Sequence, residues 1–168
     1  MKLLLTGLPG AGKSTIVRAM LSASGRDPRG FYTAKGAPAE DGSVPVFLHP
    51  ASGEGEPRLV GRVYPDRAEG CPEAFNASAA LLEGIPEGSL VVMDELGFME
   101  NRAEVFKARV LAVLAGDYDI IAVIKPRSTP FLDAVRAVGG VELVGIDETD
   151  REALRRELVG RAEKELRR

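Results

Sequence analysis

The 168-residue sequence predicts an α/β fold, a three-layer sandwich in which helices cover both faces of a mostly parallel central sheet. Three observations lead to this prediction. Strand-like and helix-compatible segments alternate along most of the chain. Residues 90–93 and 120–124 are continuously apolar, as parallel strands buried on both faces require. A glycine-rich loop stands between the first predicted strand and the first predicted helix.

The first half of the chain begins with a parallel unit and continues with an irregular segment. The predicted elements are strands at residues 3–6, 30–35, 44–49 and 58–64 and helices at residues 13–24 and 74–83. The second strand is rich in aromatic and β-branched residues, which favour strands. Turns of glycine, proline and glutamate separate the next two strands. We therefore expect a short antiparallel insertion over roughly residues 36–72, with a loop at 65–72.

The second half of the chain alternates more regularly. The predicted strands lie at residues 90–93, 120–124 and 141–146, and the predicted helices at 104–115, 130–138 and 149–167. The last helix opens with a capping box, in which Thr149 and Glu152 satisfy backbone N–H groups at the helix start. Together with the first half, this order predicts four or five parallel strands covered on both faces.

Composition limits the classes of protein to which the chain can belong. A length of 168 residues and an apolar content of 45% suit a single domain over residues 1–168. The net charge of −3 gives no strong nucleic-acid signature. Cys71 is the only cysteine in the sequence, so an internal disulfide cannot form. The apolar run at residues 3–5 is too short for a signal peptide or a membrane span, and we expect a cytoplasmic protein.

Residues 7–14, here called the phosphate loop, match the pattern G-x-x-x-x-G-K-[ST] without a departure. Such a loop turns successive backbone N–H groups toward the phosphates of a nucleotide. Lys13 is expected to reach the β- and γ-phosphates and to act in catalysis, and the Ser14 hydroxyl is expected to bind Mg²⁺. The predicted nucleotide-binding residues are Gly7, Leu8, Pro9, Gly10, Ala11, Gly12, Lys13, Ser14 and Thr15. The expected ligand is a nucleoside triphosphate with Mg²⁺.

Two carboxylates follow the apolar strand at residues 90–93. Asp94 is expected to hold Mg²⁺ beside Ser14, and Glu95 is expected to orient or deprotonate an attacking water molecule as the second catalytic residue. Ligands in parallel sheets bind at the carboxyl ends of the strands, where this pair falls. The alternative is that a strand-end carboxylate merely caps a turn.

Several other residues are candidates for roles at the site, and two interpretations stay open for some of them. Lys125 and Arg127 follow the strand at 120–124 and form either a lid that stabilises the leaving phosphates or a solvated loop. Arg62 is a weaker candidate for the same role. Tyr32 and Phe31 are aromatic residues that can stack on a base, although Phe31 fits the core equally well. Glu100 is expected to cap or orient the loop that follows Glu95.

The string Asp94-Glu95-Leu96-Gly97-Phe98-Met99-Glu100 resembles the D-E-[IL]-G-x-M-E signature of a small P-loop nucleoside-triphosphatase family. The phosphate loop, the string at residues 30–33 and the string at residues 130–133 also resemble that family and occur in the same order. The resemblance implies a P-loop domain near the RecA-like and nucleotide-kinase folds. It also implies Mg²⁺-dependent hydrolysis of ATP, GTP and other triphosphates to diphosphate and phosphate.

The middle segment departs from the family pattern. Residues 34–38 read Ala-Lys-Gly-Ala-Pro, where family members carry an acidic and then a basic residue. The sequence also lacks the Asn-Lys-x-Asp string with which regulatory GTPases read guanine. Two alternatives to hydrolysis stay open at this point: a kinase that phosphorylates a small metabolite or nucleotide, and a nucleotide-gated binding module with slow hydrolysis.

Overall fold

The computed structural model describes residues 1–146 and 150–167, which form one eight-stranded sheet with helices on its faces. The strands are β1 (Lys2–Thr6), β2 (Arg29–Lys35), β3 (Val44–Pro50), β4 (Arg58–Val63), β5 (Ala68–Gly70), β6 (Leu90–Leu96), β7 (Asp119–Ile124) and β8 (Glu142–Gly145). The helices are α1 (Lys13–Ser24), α2 (Pro72–Ser78), α3 (Glu104–Ala115), α4 (Pro130–Arg136) and α5 (Arg151–Leu166). The strand order is β5-β4-β3-β2-β6-β7-β1-β8.

Five neighbouring strands, β2, β6, β7, β1 and β8, form the parallel part of the sheet. The apolar runs at residues 90–93 and 120–124 predict that β6 and β7 are buried on both faces. In the structure every residue of β7 is buried, and so are the first four residues of β6. Successive side chains along these strands point to opposite faces of the sheet and form two separate cores. One core packs with α2, α3 and α4, and the other with α1 and α5. The predicted α/β fold with a mostly parallel sheet is confirmed.

The parallel pairing brings the carboxyl ends of three strands to one edge. Thr6 at the end of β1 pairs with Ile124 at the end of β7, and Asp94 of β6 pairs with Val123. Segments that follow β1, β6 and β7 therefore meet at this edge. In open parallel sheets this is the edge where ligands bind.

Strands β3, β4 and β5, here called the antiparallel extension, continue the sheet beyond β2. The predicted antiparallel insertion is confirmed, but its last part was predicted as a loop and contains β5. Ala68–Gly70 is a strand because it pairs with β4 at the sheet edge, a tertiary contact that its three-residue sequence does not indicate. Similarly, the helix predicted at 74–83 begins at Pro72 and gives way to a 3₁₀ turn over Ala79–Leu82.

Helix α5 begins at Arg151, where Asp150 caps it by accepting hydrogen bonds from the backbone N–H groups of Glu152 and Ala153. The predicted cap residue Thr149 lies outside the described residues. Helix α5 packs on α1 through Leu154, Leu158 and other buried residues. Among residues 1–146 and 150–167, no helix is long and apolar enough to cross a membrane.

Candidate functional site

The phosphate loop connects the end of β1 to the start of α1. Gly10 and Gly12 have backbone φ angles of 79° and 93°, values that L side chains rarely adopt. The glycines at these two positions thus allow the tight turn, which the Ala11 N–H closes by donating to the Leu8 carbonyl at 3.1 Å. Gly12 is the N-cap of α1, so the positive end of that helix faces the turn. The loop has the architecture of an anion site.

Lys13 is the first residue of α1, and its side chain folds back over the phosphate loop. Its ammonium Nζ donates to the carbonyl oxygens of Gly7 at 2.6 Å and Leu8 at 2.7 Å. Lys13 is buried, with 8% of its surface exposed. A compact cation with rotatable donors is therefore held at the centre of the loop.

Ser14 and Asp94 come from different elements and meet in the structure. The Asp94 carboxylate accepts a hydrogen bond from the Ser14 hydroxyl. Burial raises the pKa of Asp94 above its usual range, while the bond from Ser14 and the charges of Arg18 and Lys13 oppose that rise. A hydroxyl and a carboxylate are the hard oxygen donors that Mg²⁺ prefers, so these two residues fit that ion.

Glu95 lies beside Asp94 at an irregularity in β6. The pairing with β7 shifts register between Asp94 and Leu96, so Glu95 falls outside the regular pairs. Its backbone N–H donates to the Thr33 hydroxyl at 3.4 Å, and its carboxylate Oε1 lies 3.2 Å from Lys125 Nζ. The Glu95 side chain is 29% exposed. It can therefore meet a reactant in the cleft while Lys125 holds its position.

The two residues predicted as a possible lid, Lys125 and Arg127, lie against the loop that follows β6. Lys125 Nζ is 5.3 Å and the Arg127 guanidinium carbon is 4.5 Å from the centre of the Phe98 ring. The Lys125 carbonyl accepts a hydrogen bond of 2.7 Å from Arg136. Of the two, Lys125 directly contacts a predicted catalytic residue, Glu95.

Glu100 orients the loop after Glu95, as the sequence predicts. Its carboxylate Oε1 accepts a hydrogen bond of 2.6 Å from the Gly97 backbone N–H. The residue is 3% exposed, and burial raises its pKa to about 7. The loop between β6 and α3 is therefore held by a carboxyl group that is readily protonated.

Three other sequence candidates are not among the residues that line the space between the phosphate loop, β2 and β6. Phe31 is a core residue that packs against Phe106, with ring centres 5.4 Å apart. Tyr32 is 41% exposed and stacks on His49, with ring centres 4.8 Å apart. Arg62 donates to the Ser43 hydroxyl at 3.4 Å within the antiparallel extension.

The structure adds two residues that sequence reasoning did not assign to the site. Thr33 binds the backbone on both sides of the Asp94–Glu95 peptide, since its hydroxyl also donates to the Asp94 carbonyl at 3.3 Å. Its place in the family-like string at residues 30–33 was an available signal. Arg151 lies beside Gly12, where an added Cβ would come within 3.2 Å of Arg151 Cδ. No sequence pattern indicates that approach, because the two residues meet only when α5 packs on α1.

These groups surround one open cleft, here called the phosphate cleft. Its volume is about 400 Å³, and its walls come from the phosphate loop, β2 and β6. The lining residues are Pro9, Gly10, Gly12, Lys13, Ser14, Thr15, Thr33, Asp94 and Glu95. Most of the residues predicted to bind nucleotide and metal thus lie around the same space.

Comparison with known proteins agrees with this geometry. A family model described as NTPase matches residues 2–159. The nucleoside-triphosphatase THEP1 of Thermotoga petrophila is 28% identical over 167 residues, which cover 95% of this chain and 91% of that protein. The nucleoside-triphosphatase THEP1 of Natranaerobius thermophilus is also 28% identical, with 98% of this chain and 97% of that protein covered.

A solved structure shares the fold. The crystal structure of THEP1 from the hyperthermophile Aquifex aeolicus superposes with a TM-score of 0.74 at 20% sequence identity, covering 97% of this chain and 99% of that one. Because the NTPase family model matches most of the sequence, this chain belongs to that family, and the predicted assignment to a small family of nucleoside-triphosphate hydrolases is confirmed.

Proposed function

We propose that this enzyme hydrolyses nucleoside triphosphates such as ATP and GTP to the diphosphate and inorganic phosphate, and that it requires Mg²⁺. The observation that carries the proposal is the convergence of Lys13, the Ser14–Asp94 pair and Glu95 on the phosphate cleft. Relatives named nucleoside-triphosphatase over nearly their whole length support it. The resemblance to the family implies loose base preference.

Binding of the triphosphate falls to the phosphate loop. Its backbone N–H groups and the N-terminus of α1 offer partial positive charge to the phosphate oxygens. Lys13 Nζ moves from the Gly7 and Leu8 carbonyls toward the β- and γ-phosphates, a short distance because it already lies over the loop. Ser14 and Asp94 would hold Mg²⁺, which supplies charge neutralisation for the phosphate oxygens when bound.

Hydrolysis then needs a positioned water molecule. Glu95 accepts a proton from that water as its oxygen attacks the γ-phosphorus, and the bond to the β–γ bridging oxygen breaks. Lys125 and Thr33 hold Glu95 in place through its carboxylate and its backbone N–H. The positive charge of Lys125 also stands near the developing negative charge of the transferred group.

The test is the Glu95→Gln variant. The amide keeps the shape of the side chain and can still accept from Lys125, but it cannot take a proton. Nucleotide binding should be retained, while steady-state phosphate release from ATP and GTP falls by about 10²–10⁴-fold, the usual contribution of a general base. Glu104→Gln, an exposed change at the start of α3, serves as the matched control with unchanged turnover.

Two results would contradict the proposal. Turnover of folded Glu95→Gln protein within about threefold of the parent excludes Glu95 as the base. Full phosphate release in the presence of excess EDTA excludes the requirement for Mg²⁺, whatever the variant does.

A further inference from the structure

A second cavity adjoins the phosphate cleft on the side of the antiparallel extension. This side cavity has a volume of about 180 Å³. Its apolar wall comes from Val46 of β3, Val63 of β4, Phe75 of α2 and Met99 of the loop after β6. An apolar space of this size beside a reactive site is suited to a ligand.

The side cavity and the phosphate cleft share two lining residues, Thr33 and Glu95. Glu95 therefore forms part of the boundary between the two spaces. A group bound in the side cavity next to Glu95 contacts a residue that also lines the phosphate cleft. A molecule there is placed where a second reactant for the γ-phosphate would stand.

The antiparallel extension is fitted closely to the loop that carries Met99. A Cβ on Gly61 would lie 2.1 Å from Met99 Cε, and a Cβ on Gly70 would lie 1.9 Å from the Met99 carbonyl oxygen. Because glycine has no Cβ, these two positions leave room for Met99 to pack against β4 and β5. Divergent residues of the middle segment thus build a wall of a cavity that borders Glu95.

Size and charge define what the side cavity accepts. Dry cavities of about 150 Å³ hold a six-carbon ring, so an occupant of about six to eleven non-hydrogen atoms fits this one. Its charged lining residues are the exposed Lys35, Lys125 paired with Glu95, and the buried Glu100. An apolar body suits the apolar wall, one carboxylate complements Lys35, and a hydroxyl group complements Glu95.

We propose that the side cavity is an acceptor site for a small hydroxy acid, which takes the γ-phosphoryl group in place of water. The inference rests on the proposed nucleotide site and adds a second substrate to it. The acceptor O–H proton passes to the Glu95 carboxylate, and the acceptor oxygen forms a bond to the γ-phosphorus. The bond to the β–γ bridging oxygen breaks, and the nucleoside diphosphate leaves with that electron pair. The products are a phosphate monoester and the diphosphate.

Two simple hydroxy acids, lactate and mandelate, serve as probes, and phenylacetate serves as the matched compound without a hydroxyl group. Saturation-transfer NMR measures binding, and phosphorus NMR with ATP and Mg²⁺ measures ester formation. Mandelate should bind at least about tenfold more tightly than lactate, because its phenyl ring covers the apolar wall. Phenylacetate should bind without yielding an ester.

Two variants assign the binding to the side cavity. Val63→Phe fills the cavity and should weaken mandelate binding at least about tenfold. Lys35→Met removes the exposed cation and should weaken mandelate binding several-fold. Because Lys35 is exposed, this variant should fold even if Val63→Phe does not. Leu59→Phe on the same strand, 41% exposed and outside the cavity, is the control with unchanged binding.

The proposal is overturned if neither hydroxy acid binds saturably to the parent at about 10 mM, a concentration that detects even weak sites. Binding that persists unchanged in both Val63→Phe and Lys35→Met also overturns it, as does bound mandelate that never yields an ester. Phosphate release without any added acid reports separately on the proposed hydrolysis, so failure of one function is not mistaken for failure of the other.

Discussion

Replacing the buried Glu100 by glutamine should change how stability depends on pH. The pKa of Glu100 is about 7 in the folded protein, against an ordinary value of 4.5. Between these values the folded protein keeps the proton while the unfolded chain has lost it. The free energy of unfolding therefore decreases as pH rises, by up to about 1.4 kcal/mol per pH unit. The contribution is fully present below about pH 4.5 and is lost by about pH 7.

The shift of roughly two and a half units corresponds to about 3 kcal/mol across this window. For a chain of this size, that equals a change of roughly 6–12 °C in melting temperature. Glu100→Gln removes the titration, while its side-chain oxygen can still accept from the Gly97 N–H. The stability of the variant relative to the parent should thus rise from about pH 4.5 to about pH 7 and level off above that.

The assay is urea unfolding of the parent and the variant at intervals of pH, with Glu104→Gln as an exposed control. Taking the difference between proteins removes the pH dependence of all other groups. A difference between parent and Glu100→Gln that stays constant within about 0.5 kcal/mol over this range would refute the reasoning. The control should show that constant difference.

Further substitutions test nucleotide binding by the phosphate loop and the packing of two glycines. Lys13→Ala should weaken ATP binding by about 30-fold or more in calorimetric titrations, because it removes the buried cation that we propose to contact the phosphates. Equal affinity of variant and parent would rule out that contact, and Lys164→Ala, an exposed change, is the control. Gly70→Ala should lower the free energy of unfolding by about 1–3 kcal/mol, because its Cβ meets the Met99 backbone. Gly160→Ala, in an open position of α5, should instead raise the free energy of unfolding by roughly 0.5–1 kcal/mol. Equal losses of stability in the two glycine variants would show that the contact of Gly70 with Met99 is not the cause.

The sequence predicts those parts of the site that local patterns determine. The phosphate loop follows from its glycine spacing, and the strand before Asp94 follows from its apolar run. The role of Glu100 in holding the next loop was also predictable from its position. These features depend on residues close together in the chain, so a pattern is enough to find them.

Features that depend on contacts between distant segments were not predictable. Strand β5 has no alternation of apolar residues and exists because β4 offers it an edge. The ion pair of Glu95 with Lys125 depends on the register shift between β6 and β7. The side cavity depends on how Met99 docks against two glycines of the antiparallel extension. Each of these three features forms only in the assembled sheet, so no local pattern in the sequence predicts it.

The position of β1 in the sheet has a consequence for synthesis on the ribosome. Lys2 of β1 pairs with Ile120 of β7, and Leu3 pairs with Glu142 of β8, so both neighbours of β1 are translated long after it. At about 5–20 residues per second, the nascent phosphate loop waits on the order of ten seconds for the strands that support it. Nucleotide binding is therefore acquired only after β7 and β8 have left the exit tunnel.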